Sequence, residues 1–299
     1  MSNESKALAA KAQKLSGKKI GNALLNNALI IIMLLVAVYV AITQPSFLSA
    51  SSLINLLSLT AAYLPVALGI AGCIVLTGTD LSAGRAVGIT ACIAASLLQK
   101  SDIANKMWPS IGALPIPVVI IIVVAIGNFV VGNPPLLNFA GGSIQIPNYV
   151  IYAILLTGLM WFIWNKTTFG KNMFALGANE EAARVSGVNV FLTTIAVFAL
   201  AGAMYGWAGF VESARIASNT ANTGVNYELD AIAACVIGGV SFVGGIGKIS
   251  GIVIGVIMLR LIFVALPLVG MDQNLQYAIK GGIILFACAL DMRKYLVKK

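Results

Sequence analysis

From Ile20 to Thr79 the chain carries no charged side chain. A soluble domain depends on charged and polar groups to keep its surface in water, and a run of this length offers no charge for that purpose. One helical crossing of a bilayer needs roughly 20 apolar residues, so the run is long enough for two crossings. Comparable apolar stretches recur to the end of the chain. The sequence therefore predicts an integral membrane protein.

The apolar stretches, bounded by polar, glycine or proline residues, predict an all-α, polytopic transmembrane helix bundle with about nine spans. Helices are favoured over barrel strands because the stretches are too long and show no alternation of period two. The third span is short for a crossing. The predicted spans cover residues 22–43, 52–77, 85–99, 112–132, 148–164, 190–211, 229–247, 250–268 and 274–290.

Lysine and arginine concentrate in an N-terminal segment (1–19), a loop (165–189) and a basic tail (292–299), which flank or interrupt a transmembrane domain at 20–291. The positive-inside rule predicts that all three basic segments are cytoplasmic. The net charge of +9 lies between or beyond apolar runs, which argues for membrane lipid rather than nucleic acid as a partner. Five predicted spans separate the N-terminus from the loop, an odd number that conflicts with this orientation. Either one of the five is no true crossing, or a crossing is absent near residues 130–148.

Residues that carry chemistry are sparse. The chain has no histidine, and its four cysteines lie in apolar runs without a CxxC pair. No nucleophile stands beside a base, and no carboxylate pair suggests acid–base work. The sequence thus predicts a protein that is not an enzyme, with no metal site and no cofactor.

A few charged residues lie within or beside predicted spans, where ionisable groups are costly. Asp80 and Arg85 flank a polar break and could neutralise each other, although Asp80 could equally cap the following helix. Arg260, in the eighth span, is expected to face the protein interior or a watery cavity. Four residues near the outer ends of the sixth and seventh spans form either a solvated loop or a docking surface for an external partner: Glu212, Arg215, Glu228 and Asp230.

Glycine is patterned in the last third of the chain. Gly247, Gly251 and Gly255 repeat every four residues, and two glycine pairs precede them at 238–239 and 244–245. Small residues at this spacing share one helix face and allow two helix backbones to approach closely. The pattern predicts tight packing inside the membrane rather than a ligand site.

A short amphipathic helix is predicted within the loop, at residues 178–188. Asn179 can cap its first turn, where Glu180 and Glu181 suit the helix dipole. Gly187 can end it. A cytoplasmic helix between two spans is suited to pressing against a soluble partner.

Several motifs of the chain resemble those of ABC-transporter permeases, in the branch that serves ribose, xylose and galactose importers. They are QPSFL at 44–48, GTDLSAGR at 78–85, the EEAARVSG loop at 180–187 and ELDAIAACVIGG at 228–239. The segment 97–106 most closely resembles the galactose/methyl-galactoside permeases. Members of this family carry one more crossing between the fourth and fifth spans than this chain does.

The resemblance implies a larger assembly in the bacterial inner membrane, with both termini cytoplasmic. Two permease copies form the pathway, an ABC ATPase subunit on a separate chain drives it, and a periplasmic sugar-binding protein delivers the cargo. Asp80 and Gly84 fall in a family signature with a structural or pathway-forming role, and Arg85 and Arg260 are further pathway candidates. The loop that couples to the ATPase contains Glu180, Glu181, Ala182, Ala183 and Gly187.

Three functions remain open at this point. The first is the permease subunit of an ATP-driven sugar importer. The second is an ion-coupled secondary sugar carrier, for which the spans offer few of the required acidic residues. The third is a non-transporting remnant, which the absent crossing makes plausible.

Overall fold

The structure, a computed structural model, describes residues 28–98, 138–139, 144–145, 147–216 and 222–296. The first described helices are α1 (Ala28–Thr43), α2 (Ala50–Val75) and α3 (Ala83–Leu98), with a short 3-10 helix at Pro45–Leu48. The later ones are α4 (Asn148–Lys166), α5 (Thr168–Ala178), α6 (Glu180–Val185), α7 (Val190–Ile216), α8 (Tyr227–Ile237), α9 (Ile249–Leu268) and α10 (Gln273–Leu296). Two antiparallel strands, β1 (Asn138–Phe139) and β2 (Ile144–Gln145), are the only strands in the described ranges.

Helix α2 is the centre of the bundle. Its residues 60–75 are all buried, and α4, α7, α8 and α9 pack around it. A helix that is apolar on every side can be covered by protein or by lipid, and here other helices cover it. Gly72 packs on Val197 near the start of α7, and Gly69 packs on Ala201 further along, so α2 and α7 are antiparallel.

Helix α3 runs in the same direction as α7. Gly78, just before α3, contacts Phe198, whereas Val87 within α3 contacts Gly209. Helix α4 runs parallel to α2, because its first turn packs near residue 61 and its last near residue 72. The end of α3 and the start of α4 therefore lie toward the same end of the bundle, opposite Val75. The predicted orientation fails because the number of predicted spans before the loop is odd. Since α3 ends and α4 begins at the same end of the bundle, this odd number comes from the single span predicted within residues 99–147.

Four described helices are long and apolar enough to cross a bilayer: Ala50–Val75, Asn148–Lys166, Val190–Ser213 and Ile249–Leu268. Two shorter apolar helices accompany them, Ile30–Thr43 and Ala83–Ala94. The chain is thus a polytopic membrane helix bundle, while the finer count of nine spans stays a prediction. The predicted span 112–132 lies outside the described residues.

The predicted span 229–247 is not one continuous helix. Helix α8 ends at Ile237, and residues 238–248 form a loop before α9. Gly239, Gly244 and Gly245 have φ values of +81°, +89° and +66°, which only glycine adopts freely. The Ser241 amide donates to the carbonyl of Ile246 across this loop. The apolar run is long enough for a crossing, but its glycines serve as turn residues.

The glycines of α9 confirm the predicted close packing. A methyl group added at Gly251 would overlap the carbonyl oxygen of Gly238, and one added at Gly255 would overlap that of Ala234. Helices α8 and α9 therefore meet backbone against backbone and run antiparallel.

Candidate functional site

The predicted helix in the loop is α6, and its two ends are built as the sequence predicts. The Oδ1 atom of Asn179 accepts a hydrogen bond of 3.0 Å from the amide of Ala182. At the other end Gly187 has φ +84°, and its amide donates to the carbonyl of Arg184. The amide of Val188 donates to the carbonyl of Ala183. These two bonds form a Schellman motif, which fixes the length of α6.

Helix α6 presents an exposed surface of mixed character. Only Ala183 is buried, at 4% exposure, whereas Val185 is 90% exposed. Glu180 and Arg184 form an exposed ion pair of 3.0 Å, and Glu181 is exposed beside them. An exposed pair of this kind contributes about 0.3–0.5 kcal/mol to the helix, so its value for stability is small. A carboxylate-rich surface with one apolar side chain can bind a soluble protein.

The end of α4 carries side chains that are typical of a membrane edge. The Nζ atom of Lys166 lies 5.7 Å from the ring centroid of Trp161, and both side chains are exposed. Tryptophan and lysine gather at the boundary between lipid and water. We therefore expect helices α5 and α6, which follow directly, to lie beyond this boundary, and their location stays a prediction.

A cluster of polar side chains lies inside the bundle. Its first part joins α7 to α8. The Nε and Nη2 atoms of Arg215 donate to the two carboxylate oxygens of Glu212 at 3.0 and 2.8 Å. The hydroxyl of Tyr227 donates to Glu212 Oε1 at 2.5 Å. Since Glu212 is only 2% exposed, these bonds replace the water that its charge would otherwise need.

The second part of the polar cluster joins α2, α8 and α9. The hydroxyl of Tyr63 contacts Asp230 Oδ2 at 3.4 Å and the carbonyl oxygen of Tyr227 at 3.0 Å. Arg260 Nη2 lies 3.7 Å from Asp230 Oδ2, and the guanidinium carbon lies 3.4 Å from the ring centroid of Tyr63. Within the described part of the chain, Arg260 Nε and Nη2 have no hydrogen-bond acceptor.

The sequence correctly predicts that Arg260 faces the interior, where it is 8% exposed. Glu212 and Asp230, at 2% and 6% exposure, also lie inside, so neither side chain reaches the surface to meet an external protein in this conformation. Arg215 and Glu228 are half-buried. A docking role for these residues stays a prediction. Sequence reasoning missed both tyrosines: Tyr63 lies in an apolar run, where a tyrosine is ordinary, and Tyr227 lies in the polar segment before the seventh predicted span.

The motif around Asp80 precedes α3 and meets α8. Asp80 Oδ1 accepts bonds from the amide and hydroxyl of Ser82, at 2.9 and 2.6 Å, which form an Asx-turn just before α3; capping of α3 itself by Asp80 stays a prediction. Arg85 is exposed, and the ion pairs found among the described residues do not include Asp80 with Arg85. A methyl group at Gly84 would overlap Glu228 Oε2. The two motifs at 78–85 and 228–239 therefore contact each other. Because Gly84 has no side chain, it leaves room for the first turn of α8.

Residues 127–288 match the family described as branched-chain amino acid transport system / permease component. The galactose/methyl galactoside import permease protein of Salmonella typhimurium is 43% identical, covering 90% of this chain and 95% of its own. The corresponding protein of Haemophilus influenzae is 39% identical, covering 91% and 96%. The ribose import permease protein of Escherichia coli is 31% identical, covering 89% and 93%. No solved structure matches the chain.

The alignment with the Salmonella protein also shows a length difference. It extends over 319 residues, whereas 90% of this chain of 299 is about 269 residues, so about 50 aligned residues of that protein have no counterpart here. This agrees with the prediction that a segment is absent, and its location near 130–148 stays a prediction. With matches of this extent, the chain belongs to the branched-chain amino acid transport system permease family and is a multi-pass, non-catalytic permease component of the ABC-transporter class.

Proposed function

We propose that this chain forms the translocation pathway of an ATP-driven importer for galactose or a methyl galactoside. It works with a separate ABC ATPase subunit, a periplasmic sugar-binding protein and a second permease copy, in the bacterial inner membrane with both termini cytoplasmic. The observation that carries the proposal is α6, a short exposed helix capped at both ends, in a chain 43% identical to a galactose/methyl galactoside import permease.

The exposed surface of α6 is the proposed contact with the ATPase, through Glu180, Glu181, Ala182 and Gly187, while Ala183 holds the helix to the bundle. A rigid helix transmits displacement better than a flexible loop, and the cap and the Schellman motif supply that rigidity. Val185, at 90% exposure, gives the contact an apolar anchor.

The polar cluster inside the bundle is the proposed lining of the pathway. Arg260 at membrane depth, with two guanidinium nitrogen atoms (Nε and Nη2) that lack an acceptor among described residues, can interact with sugar hydroxyls. Asp80, Gly84 and Arg85 shape the adjoining turn. Glu212, Arg215, Glu228 and Asp230 are the proposed support for the outer end, where the binding protein docks.

Reconstitution tests the proposal directly. Proteoliposomes that contain the chain, its cognate ATPase and the sugar-binding protein should take up labelled galactose only when ATP is present on the α6 side. Glu181→Lys should abolish uptake by weakening ATPase binding, whereas Asp272→Lys, an exposed charge reversal between α9 and α10, should leave uptake near wild type. Full uptake by the permease alone without ATP would contradict the proposal.

The length difference favours a second candidate, a remnant that no longer transports. The absence of about 50 residues found in the Salmonella protein is the specific reason to consider it. In this case the wild-type chain assembles with the ATPase but imports no sugar. Insertion of the corresponding segment of the Salmonella permease should then restore uptake.

A further inference from the structure

Three backbone segments meet next to α6. Gly177, at the end of α5 and three residues before α6, is buried. A methyl group at Gly177 would overlap the carbonyl oxygen of Val75 and lie 2.8 Å from the amide nitrogen of Gly245. The last turn of α5 therefore touches both the end of α2 and the loop at 238–248, with no side chain between them.

The α2 end and the loop are also bonded to each other. The amide of Gly245 donates to the carbonyl of Val75 at 2.9 Å. A methyl group at Gly244 would overlap the carbonyl oxygen of Gly177, and one at Gly245 would lie 2.8 Å from Cα and Cβ of Ala178. Each of the three segments thus contacts the other two. We call the contact of Gly177, Val75 and Gly245 the glycine joint.

The backbone next to the glycine joint is strained. Thr77, two residues after the end of α2, has φ +62°, a conformation that β-branched residues rarely adopt. A methyl group at Gly244 would overlap its Cγ2 atom. Backbone strain of this kind persists only where the surrounding structure holds the residue in place. Strained residues are frequent in segments that switch between two conformations.

The glycine joint connects α6 to the helices that hold the polar cluster. Val75 ends α2, which carries Tyr63, and the loop at 238–248 joins α8, with Asp230, to α9, with Arg260. A displacement of α6 that passes through the glycine joint therefore reaches the three helices that carry Tyr63, Asp230 and Arg260. A side-chain contact could absorb the same displacement by changing rotamer, but a contact between backbones cannot.

We propose that the glycine joint transmits the movement of α6 to α2 and to the loop between α8 and α9, so that Gly177 and Gly245 are positioning residues for transport. The inference rests on the proposed function, since it assumes that an ATPase moves α6. It assigns a place of transmission that is separate from ATPase binding. A change at the glycine joint should separate ATP hydrolysis from sugar movement while the ATPase stays bound.

Gly177→Ala tests the glycine joint in the full assembly of proteoliposomes with ATPase and binding protein. The matched control is Gly202→Ala in α7, where an added methyl group has no neighbour within 4 Å. We expect Gly177→Ala to keep the ATPase in co-purification and to lower galactose uptake per ATP hydrolysed by about tenfold. Gly202→Ala should match wild type. An unchanged ratio of uptake to hydrolysis, or loss of the ATPase from the complex, would overturn the inference.

A measurement on the wild-type complex covers the case in which Gly177→Ala does not fold. If the glycine joint is a rigid contact, the amide of Gly245 should exchange slowly with deuterium both without nucleotide and with bound ATP. Rapid exchange in either state would overturn the inference. Failure of the proposed function is distinguished by wild-type vesicles, which would then import no galactose whatever the exchange result.

Discussion

Replacing Asp230 by alanine should destabilise the bundle more than replacing Asp230 and Arg260 together. The single variant leaves the guanidinium of Arg260, which is 8% exposed, without its carboxylate partner. The double variant Asp230→Ala/Arg260→Met removes both charges and keeps most of the buried volume of the arginine stem. Removal of one partner from a buried ion pair costs about 3–5 kcal/mol, whereas replacement of both by apolar residues is close to neutral.

The geometry brings the expected loss for Asp230→Ala below that range. The Nη2–Oδ2 distance of 3.7 Å is longer than a hydrogen bond, so the pair loses less on separation than a bidentate pair would. The ring of Tyr63, 3.4 Å from the guanidinium carbon, stays in place and retains a cation–π attraction of up to about 2 kcal/mol. We therefore expect a loss of about 2–3 kcal/mol for Asp230→Ala and less than about 1 kcal/mol for the double variant.

Unfolding by SDS titration in mixed micelles, followed by circular dichroism, measures these free energies. The free energy of unfolding of Arg215→Met, a variant that leaves Glu212 bonded to Tyr227, provides a comparison within the same polar cluster. A single variant within about 0.5 kcal/mol of wild type would mean that Arg260 is not held by Asp230. A double variant less stable than the single variant would also refute the reasoning.

Three smaller effects follow from the packing. Gly255→Ala should cost about 1–3 kcal/mol because its methyl group overlaps the Ala234 carbonyl, whereas Gly206→Ala, with open space around it, should be neutral in thermal unfolding in detergent. Asn179→Ala should cost about 1 kcal/mol of α6 stability, measured as faster amide exchange at Ala182, and protection equal to wild type would exclude the cap. Tyr227→Phe should cost about 1–3 kcal/mol by removing a donor to buried Glu212, and an unchanged melting temperature would contradict this role.

Features set by short stretches of sequence could be predicted before the structure. The cap at Asn179 and the end at Gly187 depend on neighbouring residues only, and the contacts of α6 confirm both. The apolar length that defines α2 and α9 is likewise local, which is why these spans were predicted within a few residues. The close approach at Gly251 and Gly255 follows from their spacing of four.

Features that depend on distant partners could not be predicted in this way. Glu212 and Asp230 lie near the ends of two apolar stretches, which favours a surface loop when the sequence alone is considered. The partner of Asp230 is Arg260, and Tyr63 contacts Asp230 across 167 positions of the chain. No periodicity or spacing in one sequence reports such a pair. Hydropathy also gives the same value for 229–247 whether its glycines pack between helices or turn the chain.

The short length of α8 and the ion pair at its start are connected. Helix α8 has 11 residues and is therefore about 16 Å long, half the thickness of the hydrocarbon core of roughly 30 Å. It starts beside Tyr63, in the middle of α2, where Leu229 is exposed, Glu228 is half-buried and Asp230 is buried. Glu228 and Asp230 in its first turn complement the positive end of the helix dipole. The buried carboxylate of Asp230 needs a cation, and Arg260 supplies it from α9. Because α8 starts inside the bundle, the charges around its first turn are a structural requirement, and any sugar that contacts Arg260 also contacts the group that holds α8 in place.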